Sequence, residues 1–481
     1  MADVLLSHPY HLALDPREAA LGRPYPPIAT LVVASALRAA GHTVRWHDPM
    51  FEADEAGFGA ALDRAGRLDR VLLVADDHSV QVKQCLGRVR EAHQAMAQAA
   101  RARGLPVLVS GPDVSDHPAE YLAAGADSAV VGDPVTVAAA WAGGDDGLEG
   151  VHGVQGAGGR RANAEAVGAL PRPAWDLPDL SAYARRWRAR HGHWELNVWT
   201  ARGCPYRCNW CAKPTWGRSY AVRPADDVAV ELAWLRRTAG PDRIWFTDDI
   251  FALRVDWLRD FRRAVERRLG DPLPFRCLSR ADLLRDDAYV ADLAASGCDE
   301  VWLGAESGDD AVLTAMDKDC TVDDIRRSAG LLRRHGVRVG FFLQLGYPGE
   351  SLDQVRQTVD LVREVQPDAI GVSVSYPLPG TTFHDRVAST MTDRSWAVSM
   401  ANRPLFEAPY SQAFYAAARE VLRSTLSSAS AARALRDLAR APGRQSARRV
   451  AGAAFHAARL PIVTRRMERL AVPNPDAVPL S

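Results

Sequence analysis

Three cysteines, Cys204, Cys208 and Cys211, fall within eight residues of the segment ARGCPYRCNWCAKP, 201–214. Three thiolates with the spacing CxxxCxxC can wrap one compact inorganic core. Iron–sulfur clusters take Cys thiolates, usually four. With only three in reach, one iron is left open to a substrate or cofactor, by the logic that separates open catalytic zinc sites from closed structural ones. The competing chemistry is structural zinc, completed by His191, His193 or a distant Cys. Zinc motifs are more often paired CxxC units, and no second unit is present. Of the other cysteines, Cys85, Cys298 and Cys320 lie in or near predicted helices and read as ordinary buried residues. Cys277 is mid-strand in FRCLSR, expected as filler, with a place in a barrel lumen as the alternative.

Two series of elements must position this loop. From 194 onward, predicted strands at 194–203, 243–249, 274–280, 300–307, 338–346 and 369–380 alternate with helices such as 226–240 and 351–366. Six βα units suffice for a partial barrel, in which chemistry gathers at the C-terminal strand ends. Those ends carry Arg202, Thr247, Asp248, Asp249, Arg280, Glu306, Ser307, Gln344 and Tyr376, and the cysteines directly follow the first strand. Before it, strands at 4–9, 43–49, 70–77, 106–111 and 128–134 alternate with helices at 28–41 and 81–104. That alternation predicts a parallel, doubly wound sheet. Ligands of such sheets sit beyond the strand ends, here His8-Pro9, Asp48-Pro49, Asp76-Asp77, Ser110-Gly111-Pro112 and Gly132-Asp133-Pro134. The expected fold class is therefore α/β: a Rossmann-like domain (1–141), a linker (142–190) rich in Gly and charge with room for a small hairpin, a partial (β/α)6 barrel (191–384), and a helical basic region (385–481).

Composition excludes several classes. Apolar residues make up 47% and charged residues 25% of 481, a globular balance in a chain long enough for roughly three domains. Lys and Arg together equal Asp and Glu at 59 each, which argues against a general nucleic-acid or anionic-membrane binder. Lys occurs only at Lys83, Lys213 and Lys318. Between Tyr415 and Leu470 stand 12 Arg against 3 acids, read as a solvated helical face, with an anionic partner as the alternative. The N-terminus has neither a basic n-region nor a long apolar stretch, and no run approaches transmembrane length, so the expected location is the cytoplasm.

CPYRCNWC resembles the signature of the radical S-adenosylmethionine (radical SAM) superfamily, including an aromatic residue, Trp210, before the last Cys. FTDDIF (246–251), GAESGDD (304–310), LQLGYPGE (343–350) and YPLPGT (376–381) resemble motifs after later strands of that family's barrel, and the likeness covers roughly 190–385. It implies that the three Cys ligate a 4Fe-4S cluster and that SAM chelates the fourth iron. Reduction by a flavodoxin- or ferredoxin-type donor protein then cleaves SAM to a 5′-deoxyadenosyl radical. Glu306 and Ser307 are expected at the ribose or methionine end of SAM, Arg280 at its carboxylate, and Gln344 among the cofactor contacts. Thr247-Asp248-Asp249 holds the place of the family's Gly-Gly-Glu, whose acid meets the SAM amino group. The front half resembles the cobalamin-binding domain that precedes many such barrels, on Pro26-Pro27, ALRAAGHTVRWHD (36–48) and VSGPDVSDHPAEYLAAGADSAVVGDP (109–134). This implies that Pro26, Ser110, Gly111, Pro112, Gly132 and Asp133 contact cobalamin. The usual cobalt-ligating DxHxxG is absent and DDHSVQ (76–81) does not fit it; His8 or His11 is an alternative ligand. The resemblance implies a C-methyltransferase acting on a small molecule, or else a rearrangement, ring contraction or cyclisation. Trp187, Trp194, Trp199, Trp210 and Trp216 are expected mostly as core, with stacking on a planar substrate as the alternative.

Overall fold

The computed structural model describes residues 1–76, 86–145, 147–148, 151–153, 171–211, 220–392, 403–440 and 444–480. Cys85, Trp216 and all but the first residue of DDHSVQ lie outside them. The described residues form two compact units, one from 1–206 and 220–275, the other from 207–211, 276–392 and 403–480.

The first unit opens with the predicted doubly wound sheet. Strands β1 (Asp3–Ser7), β2 (Thr43–Trp46), β3 (Arg70–Val74), β4 (Val107–Ser110) and β5 (Ser128–Val130) pair in parallel in the order β2-β1-β3-β4-β5. Apolar runs such as VLLV and VLVS are buried along nearly their whole length, as a parallel sheet covered on both faces requires. Leu5, Val71, Leu73, Val107 and Val109 pack with Phe58, Leu62 and Met96 from the covering helices. β1, β2 and β3 stop before His8-Pro9, Asp48-Pro49 and Asp76, which leave the ladder at the carboxyl end, whereas β4 keeps Ser110 in the ladder. In place of a separate hairpin, the linker supplies β6 (Val151–Gly153), antiparallel to β5. The strand order reverses between β1 and β3, the position where ligands of open α/β sheets bind.

The predicted single strand over 194–203 is broken in two. β7 (Glu195–Val198) ends before Trp199, and β8 (Ala201–Arg202) turns away to pair with β9 (Ala221–Val222). Two buried groups impose the break. The Asp248 carboxylate, past the end of β10 (Arg243–Phe246), accepts the Thr200 and Ala201 amides at 2.7 and 3.1 Å and the Thr200 hydroxyl. Arg223 donates its guanidinium to the Trp199 carbonyl (3.0 Å) and its amide to the Thr200 carbonyl (2.8 Å). β10 runs parallel to β7.

β11 (Phe275–Ser279) is shared between the units after its first residue. The second unit continues with β12 (Cys298–Glu306), β13 (Arg338–Leu345) and β14 (Ala369–Val374), paired in parallel. Helices Val322–Arg334 and Leu352–Val365 between them open with reciprocal capping boxes, Thr321 with Asp324 and Ser351 with Gln354, each satisfying two otherwise orphaned amides. Their apolar stripes, for example Val322, Ile325, Ala329 and Leu332, are buried. Cys277 does not face the lumen. It alternates in step with Phe275, which packs on Phe261 of helix Val255–Leu269, and its sulfur lies 4.0 Å from that of Cys298. Helices Gln412–Ala429, Ala431–Arg440 and Arg444–Leu470 complete the unit. Arg448, Arg449, Arg465, Arg466 and Arg469 are exposed, as a solvated face requires. The tail then folds back: Asn474 bonds the Pro409 carbonyl and Glu407, Arg386 bonds the Pro479 carbonyl, and a methyl group on Gly349 would overlap the Leu480 backbone. Among the described residues no helix is long and apolar enough to cross a membrane.

Candidate functional site

β8 delivers the chain through Gly203, at φ 80°, into Cys204. Its direction is set by Arg202, whose guanidinium meets the Asp133 carboxylate at 2.8 and 2.9 Å; the Arg202 and Asp133 side chains are 4% and 0% exposed. Arg202 also lies 4.4 Å over the Trp199 ring. Asp133 further accepts the Val135 amide at 3.0 Å. It therefore braces the cysteine strand instead of offering a free carboxylate. Asp248 is similarly engaged: its bonds to Thr200 and Ala201 hold the bend, and burial pushes its carboxyl up to about 7 despite them. Of the three residues in the Gly-Gly-Glu position, Thr247 bonds the Val198 carbonyl and Asp249 is half-buried.

The other front-sheet residues divide into three groups. Ser110, Gly111 and Pro112 adjoin Gly132 through Ser115, whose amide bonds the Gly111 carbonyl (2.9 Å) and whose hydroxyl accepts the Gly132 amide (3.1 Å). The Ser110 hydroxyl is buried without a hydrogen-bond partner among the described residues. Gly111 has φ 142°, and a Cβ there would come 2.6 Å from that of Ala75, so close strand approach already demands this glycine. Pro26 lies elsewhere; its carbonyl accepts from Asn197 of β7. Beyond β1, His8 and His11 are both buried. His8 Nε2 meets Asp48 at 3.0 Å and His11 Nδ1 meets the Pro9 carbonyl at 3.1 Å, leaving His8 Nδ1 and His11 Nε2 without hydrogen-bond partners among the described residues. Burial lowers the His11 pKa and favours the neutral ring.

In the second unit the remaining cysteine-loop residues have dense support. Asn209 donates from its amide nitrogen to the Ala315 carbonyl (2.8 Å) and Asp317 (2.9 Å), and its side-chain oxygen accepts from the Tyr347 hydroxyl (2.9 Å). Trp210 is half-buried, with the Lys318 ammonium 5.8 Å from its ring centroid. Arg280, the residue expected at a SAM carboxylate, has its Nε on Asp282 (2.8 Å), one terminal nitrogen on the Lys318 carbonyl and the other 3.5 Å from the Cys208 sulfur. Glu306 ends β12 at φ 58°, beside a bulge, and is paired at 3.1 Å with Lys318; both side chains are buried. The Ser307 hydroxyl lies 3.4 Å from that of Thr358 and accepts the Asp309 amide, and Gln344 donates to Ser375 at 2.9 Å. Trp187, Trp194 and Trp199 are buried.

The radical SAM superfamily pattern matches residues 200–362. Residues 200–362 are thus a radical SAM domain. It is 24% identical over 241 residues to an uncharacterized methyltransferase of Pyrococcus horikoshii, covering 50% of this chain and 48% of that protein. It is 24% identical over 181 residues to an anaerobic magnesium-protoporphyrin IX monomethyl ester cyclase of Rubrivivax gelatinosus, covering 37% and 32%. The chain thus spans half or less of these curated relatives. Its fold is that of the radical SAM methyltransferase TsrM from Kitasatospora setae, solved with cobalamin and a [4Fe-4S] cluster (TM-score 0.66, 22% identity, 80% of this chain and 74% of that one). It is also that of the cobalamin-dependent SAM radical enzyme OxsB, solved with aqua-cobalamin and SAM (TM-score 0.71, 13% identity, 96% and 72%). The expected α/β architecture, a doubly wound front domain and a partial barrel, is therefore present.

Sequence reading missed Lys318, Asn209, Tyr347 and Arg223 as supports of the loop. Lys318 left one usable signal: it is one of only three Lys in a chain that otherwise uses Arg.

Proposed function

We propose that this radical SAM protein is a cobalamin-dependent enzyme that methylates an unactivated carbon of a small molecule. The observation that carries the reading is the coexistence on one chain of the cysteine loop and a doubly wound front sheet, the fold shared with TsrM and OxsB. The residues present fit the cofactors. Cys204, Cys208 and Cys211 form no disulfide, and their thiols are the donor type an iron–sulfur cluster takes. Beyond the front strands, His8 Nδ1, His11 Nε2 and Ser110 Oγ are buried polar atoms without partners among the described residues, and such atoms normally find one. When bound, the cluster with SAM supplies a hydrogen-abstracting radical and cobalamin a methyl group. The chain's own residues orient and shield. The three Cys hold the cluster, while Glu306, Ser307, Gln344, Thr247 and Asp249 stand at strand ends as SAM contacts. Ser110, Gly111, Pro112 and Gly132 line the cobalamin side. Phe342, mid-strand on β13, is 39% exposed and packs against Trp302 with ring centroids 4.8 Å apart; it offers an apolar floor to a substrate of small-molecule size. A flavodoxin- or ferredoxin-type protein in the cytoplasm supplies the electron.

A second reading, radical cyclisation or rearrangement without methyl transfer, is favoured by the cyclase of Rubrivivax gelatinosus among the relatives. The experiment is iron and cobalt content after anaerobic purification with cobalamin supplied, followed by product analysis with SAM. About four irons with one corrinoid, and S-adenosylhomocysteine formed alongside 5′-deoxyadenosine, support methyl transfer. Both metals with 5′-deoxyadenosine alone support the second reading. Iron without cobalt removes the cobalamin assignment.

A further inference from the structure

Arg280 does not present a free fork to a ligand. Its Nε is held by Asp282 at 2.8 Å and one terminal nitrogen by the Lys318 carbonyl, so the remaining terminal nitrogen is aimed at Cys208, 3.5 Å from its sulfur. Lys318 is itself fixed. Its ammonium is paired at 3.1 Å with Glu306, and both flanking residues, Asp317 and Asp319, have φ near +50° (51° and 52°). The pair occupies space that only a glycine leaves: a Cβ on Gly304 would lie 2.6 Å from the Lys318 ammonium and 2.7 Å from Glu306 Oε1. A buried ammonium retained among 56 Arg residues is a compact charge that a bulkier, planar guanidinium does not replace.

We infer that Arg280 is a positioning residue for the cluster: it donates a charge-assisted N–H···S bond to the Cys208 thiolate, and Asp282 and Lys318 aim it. The inference rests on the reading of the cysteine loop as a 4Fe-4S site. Reduction adds negative charge to a cluster, and N–H donors to its sulfurs stabilise that charge and raise the potential. The contact therefore makes the cluster easier to reduce. It also reassigns Arg280 from the SAM carboxylate to the metal centre.

The test is an EPR-monitored redox titration of reconstituted wild type, Arg280→Gln and Arg280→Lys without SAM, with iron counted per chain. In Arg280→Gln we expect wild-type iron and a reduction equilibrium at least tenfold less favourable, about 59 mV lower for one electron. Arg280→Lys, which keeps the charge but not the fork, should fall between. Full iron with an unchanged potential in Arg280→Gln overturns the inference. If Arg280→Gln loads no iron, Arg280→Lys decides: a lowered potential supports the inference and an unchanged one overturns it. Loss of iron in both variants with unaltered circular dichroism makes Arg280 an assembly residue and also overturns it. A wild type that holds no cluster refutes the underlying reading instead, so the two failures are distinguishable.

Discussion

The buried ion pair between Arg202 and Asp133 makes a quantitative prediction. At 2.8 Å and an effective dielectric of about 20, the Coulomb attraction is about 6 kcal/mol, and removing one partner of such a pair costs about 3–5 kcal/mol because the other charge stays buried. Asp133→Asn keeps the shape and an acceptor for the Val135 amide while deleting the charge, so we expect a loss near 3 kcal/mol. For a unit of this size that lowers Tm by roughly 6–12 °C. Arg202→Met should cost a similar amount by stranding the carboxylate. The double variant replaces a buried pair by neutral groups, which is often close to neutral, so it should recover at least ~2 kcal/mol relative to the sum of the singles. Urea unfolding of the four proteins measures this coupling. Because Arg202 precedes Cys204 by two residues, iron uptake should fall in both singles. Additive costs, or an Asp133→Asn protein as stable as wild type, would refute the claim that this pair holds the cysteine strand.

Glu350 makes a pH prediction. It is fully buried, accepts the Gly346 amide at 2.6 Å, and burial pushes its carboxyl up to about 8. The native chain therefore keeps this proton between about pH 4.5 and 8 while the unfolded chain releases it, so its contribution lowers stability as pH rises through that window. Glu350→Gln should flatten the decline between pH 5 and 8 in urea titrations while leaving pH 4 little changed; an unchanged slope would contradict the assignment. Asp248 acts with the same sign up to about pH 7, so a residual slope should remain. Gly304→Ala should cost about 1–3 kcal/mol by forcing Lys318 and Glu306 apart, seen in thermal melts, and a wild-type Tm would show the pair is not confined there. Cys208→Ser should retain the fold by circular dichroism and lose most iron; full iron would exclude Cys208 as a ligand.

Most of the fold was legible because its signals are local. Apolar runs bounded by polar turns mark β1 to β5, and the spacing of Val322, Ile325, Ala329 and Leu332 marks a helix. The break at Trp199-Thr200 was not legible, since nothing in WELNVWTARG discloses that Asp248, 48 residues further on, will take its amides. The cysteine motif stood out because its three members are contiguous. The partners of Arg280 did not, because a guanidinium at a strand end looks the same whether it awaits a carboxylate or already holds a carbonyl 38 residues away. The Arg202 partner of Asp133 was hidden for the same reason: charge type is written in sequence, while pairing across 69 residues is not.

The tail that folds back on Gly349 has a consequence for the order in which the protein matures. Translation supplies the N-terminal parts first, so the five parallel strands of the doubly wound sheet exist long before Leu480 is made. The Gly346–Glu350 loop after β13 cannot reach its final packing until Leu480 has left the ribosome. That turn therefore settles after the sheet.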